Sequence, residues 1–382
     1  MNSTYKIIFN THIFKGEAIP QIFPTLEYFE EKISNTNKED TLPILNYSLS
    51  LVPSYLKLQR TDAKFSHTII KQNNWGYAIH LKSNSTIGNY LQEQYNSKKR
   101  SIIRRYVNRL EACFTINYKL YYGDITKEEY HFIMDSLKEM IVHRFKQRKE
   151  QNKELPKWDA LVEETYPKIQ NKQASLFVIY DDNKPIEISL NYHFEKILFS
   201  TISSYDIDYS KFGLGHVEIY KQVEWCCAHN YILFEMGVGG MDYKRRWSNF
   251  IYNFEHHIIY DNTNLASKIM GQLEVLKMKT KEYLKSKKIN KIVPNLKHRY
   301  LANMEVETDV HISTIAKNTT KDHLNRTEIK ITSPEYDFLK KYVYDFLYTT
   351  VAHISTVKTF KLTEKTYLIV GEKLHQIIEK GN

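Results

Sequence analysis

The chain has 382 residues, 42% hydrophobic and 13% aromatic, with 26% charged, which excludes a largely disordered polypeptide and leaves room for about two domains. Its formal net charge of +10 favours anionic partners: nucleotide phosphates, RNA, acidic glycans or an anionic membrane surface. Three cysteines, Cys113 and the adjacent Cys226 and Cys227, cannot build a disulfide framework and point to a reducing compartment.

In chain order, Tyr5–Phe9 is a predicted strand and Phe23–Ile33 a predicted helix, with Phe23, Leu26, Phe29 and Ile33 at helical spacing. Tyr47–Leu58 and Tyr77–Leu81 are predicted strands. A long helix is expected from Ile87 to about Ala112, with Ile102, Tyr106, Val107 and Leu110 on one side. Lys98, Lys99, Arg100, Arg104, Arg105 and Arg109 lie on the other. Phe114–Tyr121 alternates like a half-buried strand, and Thr126–Glu129 is a capping-box start for a helix to about Arg148. Pro156 precedes another helix through Ile169. Ala174–Tyr180, Pro185–Phe194 and Ile197–Ser204 have the grammar of an antiparallel meander.

Gly213-Leu214-Gly215 then opens a helix to about His229. Strands Tyr231–Met236 and Ile251–Tyr260 flank a cationic turn, and Leu265–Lys287 is a long basic helix. Beyond about Val306, strand-like pieces at Glu328–Ile331 and Thr366–Val370 surround an aromatic helix at Tyr336–Tyr348. The N-terminus lacks a basic segment followed by an apolar core, and no run approaches the roughly 20 apolar residues of a membrane helix. The sequence therefore reads as soluble and cytoplasmic.

The chemistry concentrates in two stretches. Ser210–Gly215 (SKFGLG) puts glycine-lined backbone at a helix start, where amides and the helix dipole attract phosphate. Tyr231–Phe250 runs from a hydrophobic strand through glycines into Tyr-Lys-Arg-Arg-Trp. An ordinary strand-to-helix turn and a solvated charge run are the plain alternatives. Together the two stretches suggest a phosphate-bearing acyl donor. Trp247 reads as a packing anchor.

Four stretches carry a family resemblance: Lys98–Glu111, Asp181–Phe194, Ser203–Cys226 and, most distinctively, FEMGVGGMDYKRRW at Phe234–Trp247. Over roughly Asn96–Lys287 the chain resembles GNAT-fold acyltransferases of the cellulose-biosynthesis-associated type, relatives of the tandem-GNAT Fem aminoacyltransferases. It departs from them at Ser210, where Gln or Arg is usual, and at Glu235, where Asp is common.

The resemblance implies an α/β (α+β) fold of tandem GNAT-like mixed sheets with flanking helices and a small C-terminal α/β appendage. The corresponding division is 1–113 as a degenerate first unit, 114–305 as the GNAT domain with the donor site, and 306–382 as the appendage. The implied activity is N-acyl transfer from acyl-CoA or a related thioester to an amine of a small molecule, glycan or lipid precursor, with no metal. An aminoacyl-tRNA donor and a non-catalytic binding scaffold are the alternatives. Tyr243 is the candidate general acid for the departing thiolate, or a tyrosine that holds the turn. Glu235 is the candidate proton acceptor, or an ion-pair partner of Arg245 or Arg246. His193 is a weaker base candidate, and His216 is a base or a phosphate contact. Ser203 and Tyr205 are candidate oxyanion-side contacts. Lys211, Gly213, Gly215, Lys244, Arg245 and Arg246 complete the donor set. A metal reading of His256-His257 fails because strand neighbours point to opposite faces. The basic helix Lys98–Arg109 fits RNA, an anionic acceptor or membrane surface, or a solvated face.

Overall fold

Hydrophobic alternation and capping chemistry account for most elements of the computed structural model, which describes residues 4–14, 16–17, 19–35, 46–60, 63–149, 155–239, 241–287, 310–316 and 326–381. The chain opens with β1 (Thr4–Ile8), α1 (Phe9–Phe14), β2 (Thr25–Tyr28) and β3 (Glu31–Ser34). The helix expected over Phe23–Ile33 is thus a hairpin. Leu26 pairs with Ile33 across it, and Phe29 makes the turn with φ 51°. Leu26 and Tyr28 are buried on alternate positions, a period of two that the helical spacing concealed.

β4 (Asn46–Pro53) and β5 (Leu56–Gln59) follow, then the 16-residue β6 (Phe65–His80). The single helix expected from Ile87 is two: α2 (Ile87–Gln94) and α3 (Ser97–Cys113). Asn96 starts the second by accepting from the Lys99 amide at 3.0 Å, and the buried side of α3 carries Ile103 rather than Ile102. β7 (Ile116–Tyr121) leads to α4 (Lys127–Arg148), capped by Thr126 on the Glu129 amide at 3.2 Å, and to α5 (Trp158–Gln170). Next come β8 (Ala174–Asp181), β9 (Lys184–Phe194), β10 (Ile197–Tyr205), α6 (Leu214–Ala228) and β11 (Leu233–Val238).

The predicted cationic turn is a short helix, α7 (Asp242–Trp247), and β12 (Phe250–Asp261) and α8 (Leu265–Ser286) succeed it. The C-terminal region holds β13 (Val310–Ala316), β14 (Thr327–Ile329), α9 (Lys340–Thr350), β15 (Lys358–Lys361), β16 (Thr366–Val370) and β17 (Leu374–Lys380).

The fold is mixed α/β, with helices flanking a mixed sheet. It divides into two compact units, each assembled from three chain segments. Unit 1 comprises Met1–Ser83, Tyr192–Ser200 and Tyr231–Asn303. Its sheet runs β1, β4, β12, β6, β11, β10. β1 pairs parallel with β4, and β10 pairs parallel with β11 through Ile197, Leu198 and Phe199. The intervening pairs are antiparallel. α8 seats on β12 and β6 because Gly271 lets the Tyr260 ring close in, where a Cβ would meet it at 2.3 Å.

Unit 2 comprises Asn84–Asn191, Thr201–Asn230 and Met304–Asn382. β7, β8 and β9 lie side by side, and a second, antiparallel sheet runs β13, β17, β16, β15, β14. One core joins α3 (Val107, Leu110), the strands (Phe177, Ile179, Ile186), the start of α6 (Leu214, Val217) and α9 (Val343, Leu347).

Candidate active site

The donor loop lies in unit 2. A 3-10 turn over Ile207–Phe212 ends at Gly213, whose φ of 63° places it in the left-handed region that glycine enters without steric cost. The Gly213 amide donates to Ser210 O at 3.2 Å, and α6 begins at once. His216 and Val217 donate to Gly213 O at 2.8 and 3.2 Å, so the amides of Leu214 and Gly215 come before the first helical bonds. The two glycines face different surroundings. A Cβ on Gly213 would lie 2.8 Å from the Tyr106 ring, which itself stacks on His216 at 5.4 Å between centroids. A Cβ on Gly215 would meet nothing within 4 Å, so that backbone faces open space. Lys211 leans toward α9, 3.5 Å from Thr349 Oγ1 and 3.9 Å from Asp345.

One turn into α6, Glu218 is 5% exposed, and burial lifts its carboxyl from 4.5 to about 7. Ser189, Ser203, Arg144 and Gln222 act against that rise, Gln222 by donating from Nε2 at 2.9 Å. Glu187 on β9 is 1% exposed, and neither carboxyl oxygen has a hydrogen-bond partner. Burial, and then the neighbouring Glu218, push it well above the usual carboxylate range, while Arg144 opposes. The Arg144 guanidinium lies 4.6 Å over the Tyr205 ring. Ser203 therefore meets Glu218, whereas Tyr205 lies against Arg144. Sequence reading missed Glu187 and Glu218; the available signal was a carboxylate in each of the apolar runs Pro185–Leu190 and Leu214–Ile219.

Two surfaces of unit 2 flank these groups. A cleft of about 600 Å³ is walled by His143, Lys184, Tyr205, Asp206, Asp208 and Asp337, among others. Asp208 is raised to about 6 by burial and then by Asp206 and Asp337. On α3, Arg100, Arg104, Arg105 and Asn108 border an open depression of about 520 Å³. Arg109 is committed elsewhere: it donates to Tyr348 O at 2.7 Å and stacks on that ring at 4.4 Å.

Unit 1 holds the second signature. Glu235 on β11 is 2% exposed and accepts from Tyr55 OH at 3.0 Å. A shift of register between Glu235 and Val238 turns the Gly237 amide back onto the same carboxyl at 2.7 Å. Tyr252 lies close enough to influence the acid without a bond of full geometry. Burial again dominates, raising Glu235 to about 7. Its neighbours are tyrosines, an amide and the more distant Lys244 charge, while Arg245 and Arg246 are exposed on α7.

Lys244 is drawn back onto Met236 O at 2.5 Å and Val238 O at 3.3 Å. Tyr243 is half-buried on α7, and Trp247 is fully buried and anchors that helix. His193 Nδ1 meets Tyr231 OH at 2.7 Å, and burial lowers it to about 3, which makes it a poor proton acceptor. His256 pairs with Ser48 at 2.8 Å and His257 with His67 at 3.0 Å. Among the described residues, no group of three or more His, Cys, Asp or Glu is placed to hold a metal. The Cys226 thiol is buried and pushed well up, which leaves it a packing residue.

Residues 97–245, less than half of the chain, match the model of the acetyltransferase (GNAT) domain family. The match takes in α3, the donor loop, Glu187, Glu218, Glu235 and Tyr243. No curated protein matches the chain. Among solved structures, a conserved protein of unknown function from Bacteroides thetaiotaomicron is 13% identical, covering 56% of this chain and 70% of its own at a TM-score of 0.37. FemX is 9% identical, with 56% and 71% covered and a TM-score of 0.39. L-PGS from Bacillus licheniformis is 10% identical, with 61% and 72% covered and a TM-score of 0.36. Overlaps this loose transfer neither a reaction nor a substrate.

Proposed function

We propose that the chain is an N-acyltransferase that moves an acyl group from a CoA-type thioester to a primary amine. The observation that carries this reading is the start of α6. Gly215 offers open backbone at a helix N-terminus, and one turn later Glu218 is held near pH 7, all within the stretch that matches the GNAT family. The amides of Leu214 and Gly215 would receive the donor's pyrophosphate. The amine would attack the thioester carbonyl, forming a C–N bond, and the C–S bond would break. The ammonium proton would pass to a carboxylate poised near neutrality. Glu218 meets that requirement in unit 2 and Glu235 in unit 1. On motif grounds Tyr243 is proposed to protonate the departing thiolate. His193 fits a base role less well, given its depressed pKa.

In the cleft lined by Asp206, Asp208 and Asp337, Lys184 pairs with Asp206 at 2.6 Å and Lys340 with Asp337 at 2.5 Å, which leaves Asp208 and Glu139 to meet an acceptor that arrives as an ammonium ion. The tandem division into 1–113, 114–305 and 306–382 is likewise a proposal. A second reading, an aminoacyl-tRNA donor, draws on the exposed Lys98, Lys99, Arg104 and Arg105 of α3.

Thermal shift with CoA and acyl-CoA tests the first reading. Ligand at a hundred times its Kd should stabilise the protein by about 2.7 kcal/mol. Gly215→Glu should abolish the shift while leaving the unliganded midpoint in place, because its Cβ meets open space. No shift with either ligand would remove the CoA reading. Co-purifying tRNA with a steep salt dependence would favour the second.

A further inference from the structure

α8 carries two opposite stripes. At 100° per residue, Ser267, Gly271, Met278 and Glu282 fall on one side and are buried against β12 and β6. Glu282 fixes that side by accepting from the Asn73 amide at 2.7 Å. The diametrically opposite side carries Leu265, Ile269, Leu273, Leu276 and Tyr283, which are 73, 50, 60, 63 and 62% exposed. Single exposed leucines are ordinary on a protein surface, but five large apolar side chains along one helical stripe are not.

The charge around the stripe has one sign. Lys268 and Lys279 border one edge, and Lys277 and Lys281 the other, all exposed. The helix's carboxylates are withdrawn: the Glu274 side chain is 13% exposed and the Glu282 side chain 8%. Lys277 reaches back toward Glu274 at 3.6 Å but stays 61% exposed. In sequence, residues 283–304 contain no Asp or Glu and continue with Lys285, Lys287, Lys288, Lys291, Lys297 and Arg299.

We propose that α8 lays this stripe on an anionic lipid surface, with the leucines entering the headgroup boundary and the lysines meeting lipid phosphates. No helix among the described residues is long and apolar enough to cross a membrane, so the contact is a surface one. Charge complementarity selects the occupant. A second copy would set lysine edges against lysine edges, whereas an anionic leaflet offers the opposite sign along the whole helix.

The test is co-sedimentation of the full chain with vesicles of phosphatidylcholine alone, or with about a third phosphatidylglycerol. Binding is expected only to the anionic vesicles, and is expected to weaken as salt rises. Leu273→Glu with Leu276→Glu should reduce binding at least about tenfold, with the thermal midpoint unchanged because both side chains are exposed. Lys279→Gln and Lys281→Gln should each cost about fivefold. Equal binding to both vesicles, absence of binding to either, or wild-type binding by the leucine variant overturns the proposal. So does light scattering that shows a dimer for the wild type and a monomer for the leucine variant, since a second copy would then cover the stripe.

Discussion

Glu218→Gln is the most informative single change, because stability and chemistry respond to it separately. The folded chain holds the Glu218 proton up to about pH 7, whereas an unfolded chain releases it near its ordinary 4.5. Between those values the native state binds more protons than the unfolded one, so wild-type stability falls as pH rises through that window and levels off above it. At 1.36 kcal/mol per pH unit, the full fall is about 3 kcal/mol. Glutamine has no proton to lose and keeps a carbonyl to accept from Gln222. Urea unfolding of both proteins at pH 5, 6, 7 and 8 should therefore show the variant gaining on the wild type by up to about 3 kcal/mol at the alkaline end. The gain should run higher if relief of the like charge also eases Glu187. Turnover should fall, because glutamine cannot take up the ammonium proton. Stability curves that run parallel from pH 5 to 8 would refute the argument, because they would mean that Glu218 is solvated or differently paired.

Gly213→Ala should destabilise unit 2 by about 1–2 kcal/mol, from a left-handed φ and a Cβ pressed on Tyr106, measured by thermal or denaturant midpoint. Tyr243→Phe should lower turnover while the CoA-induced shift persists; unchanged turnover would take Tyr243 out of the acid role. Gly271→Ala drives a methyl into the Tyr260 ring and should cost about 1–3 kcal/mol in unfolding experiments.

Legibility in the sequence followed the range of the interaction. The strand grammar of Ala174–Ser204, the Thr126 cap and the start of α6 are written in near neighbours, and the structure has them where those neighbours put them, to within a residue or so at the strand ends. The hairpin at Thr25–Ser34 was hidden because Phe29 turns the chain without glycine or asparagine, and its apolar positions also satisfy a helical period. The break before Asn96 rests on one side-chain bond. The acid pair was least visible. A glutamate in a strand or helix looks ordinary until the three-dimensional packing removes its water, and Arg144 comes from a third element. The neighbours of Glu235 were equally remote: Tyr55 lies 180 positions away in sequence.

The two units interleave along the chain, with β9 and β10 each beginning in one and ending in the other. No single cut of the polypeptide liberates either unit whole: a fragment ending at 113, or starting at 114, carries parts of both. Deletion series would thus remove pieces of two bodies at once, and a dead truncation would say little about which one held the activity. Dissecting this protein calls for point substitutions, or for circular permutants that keep every segment.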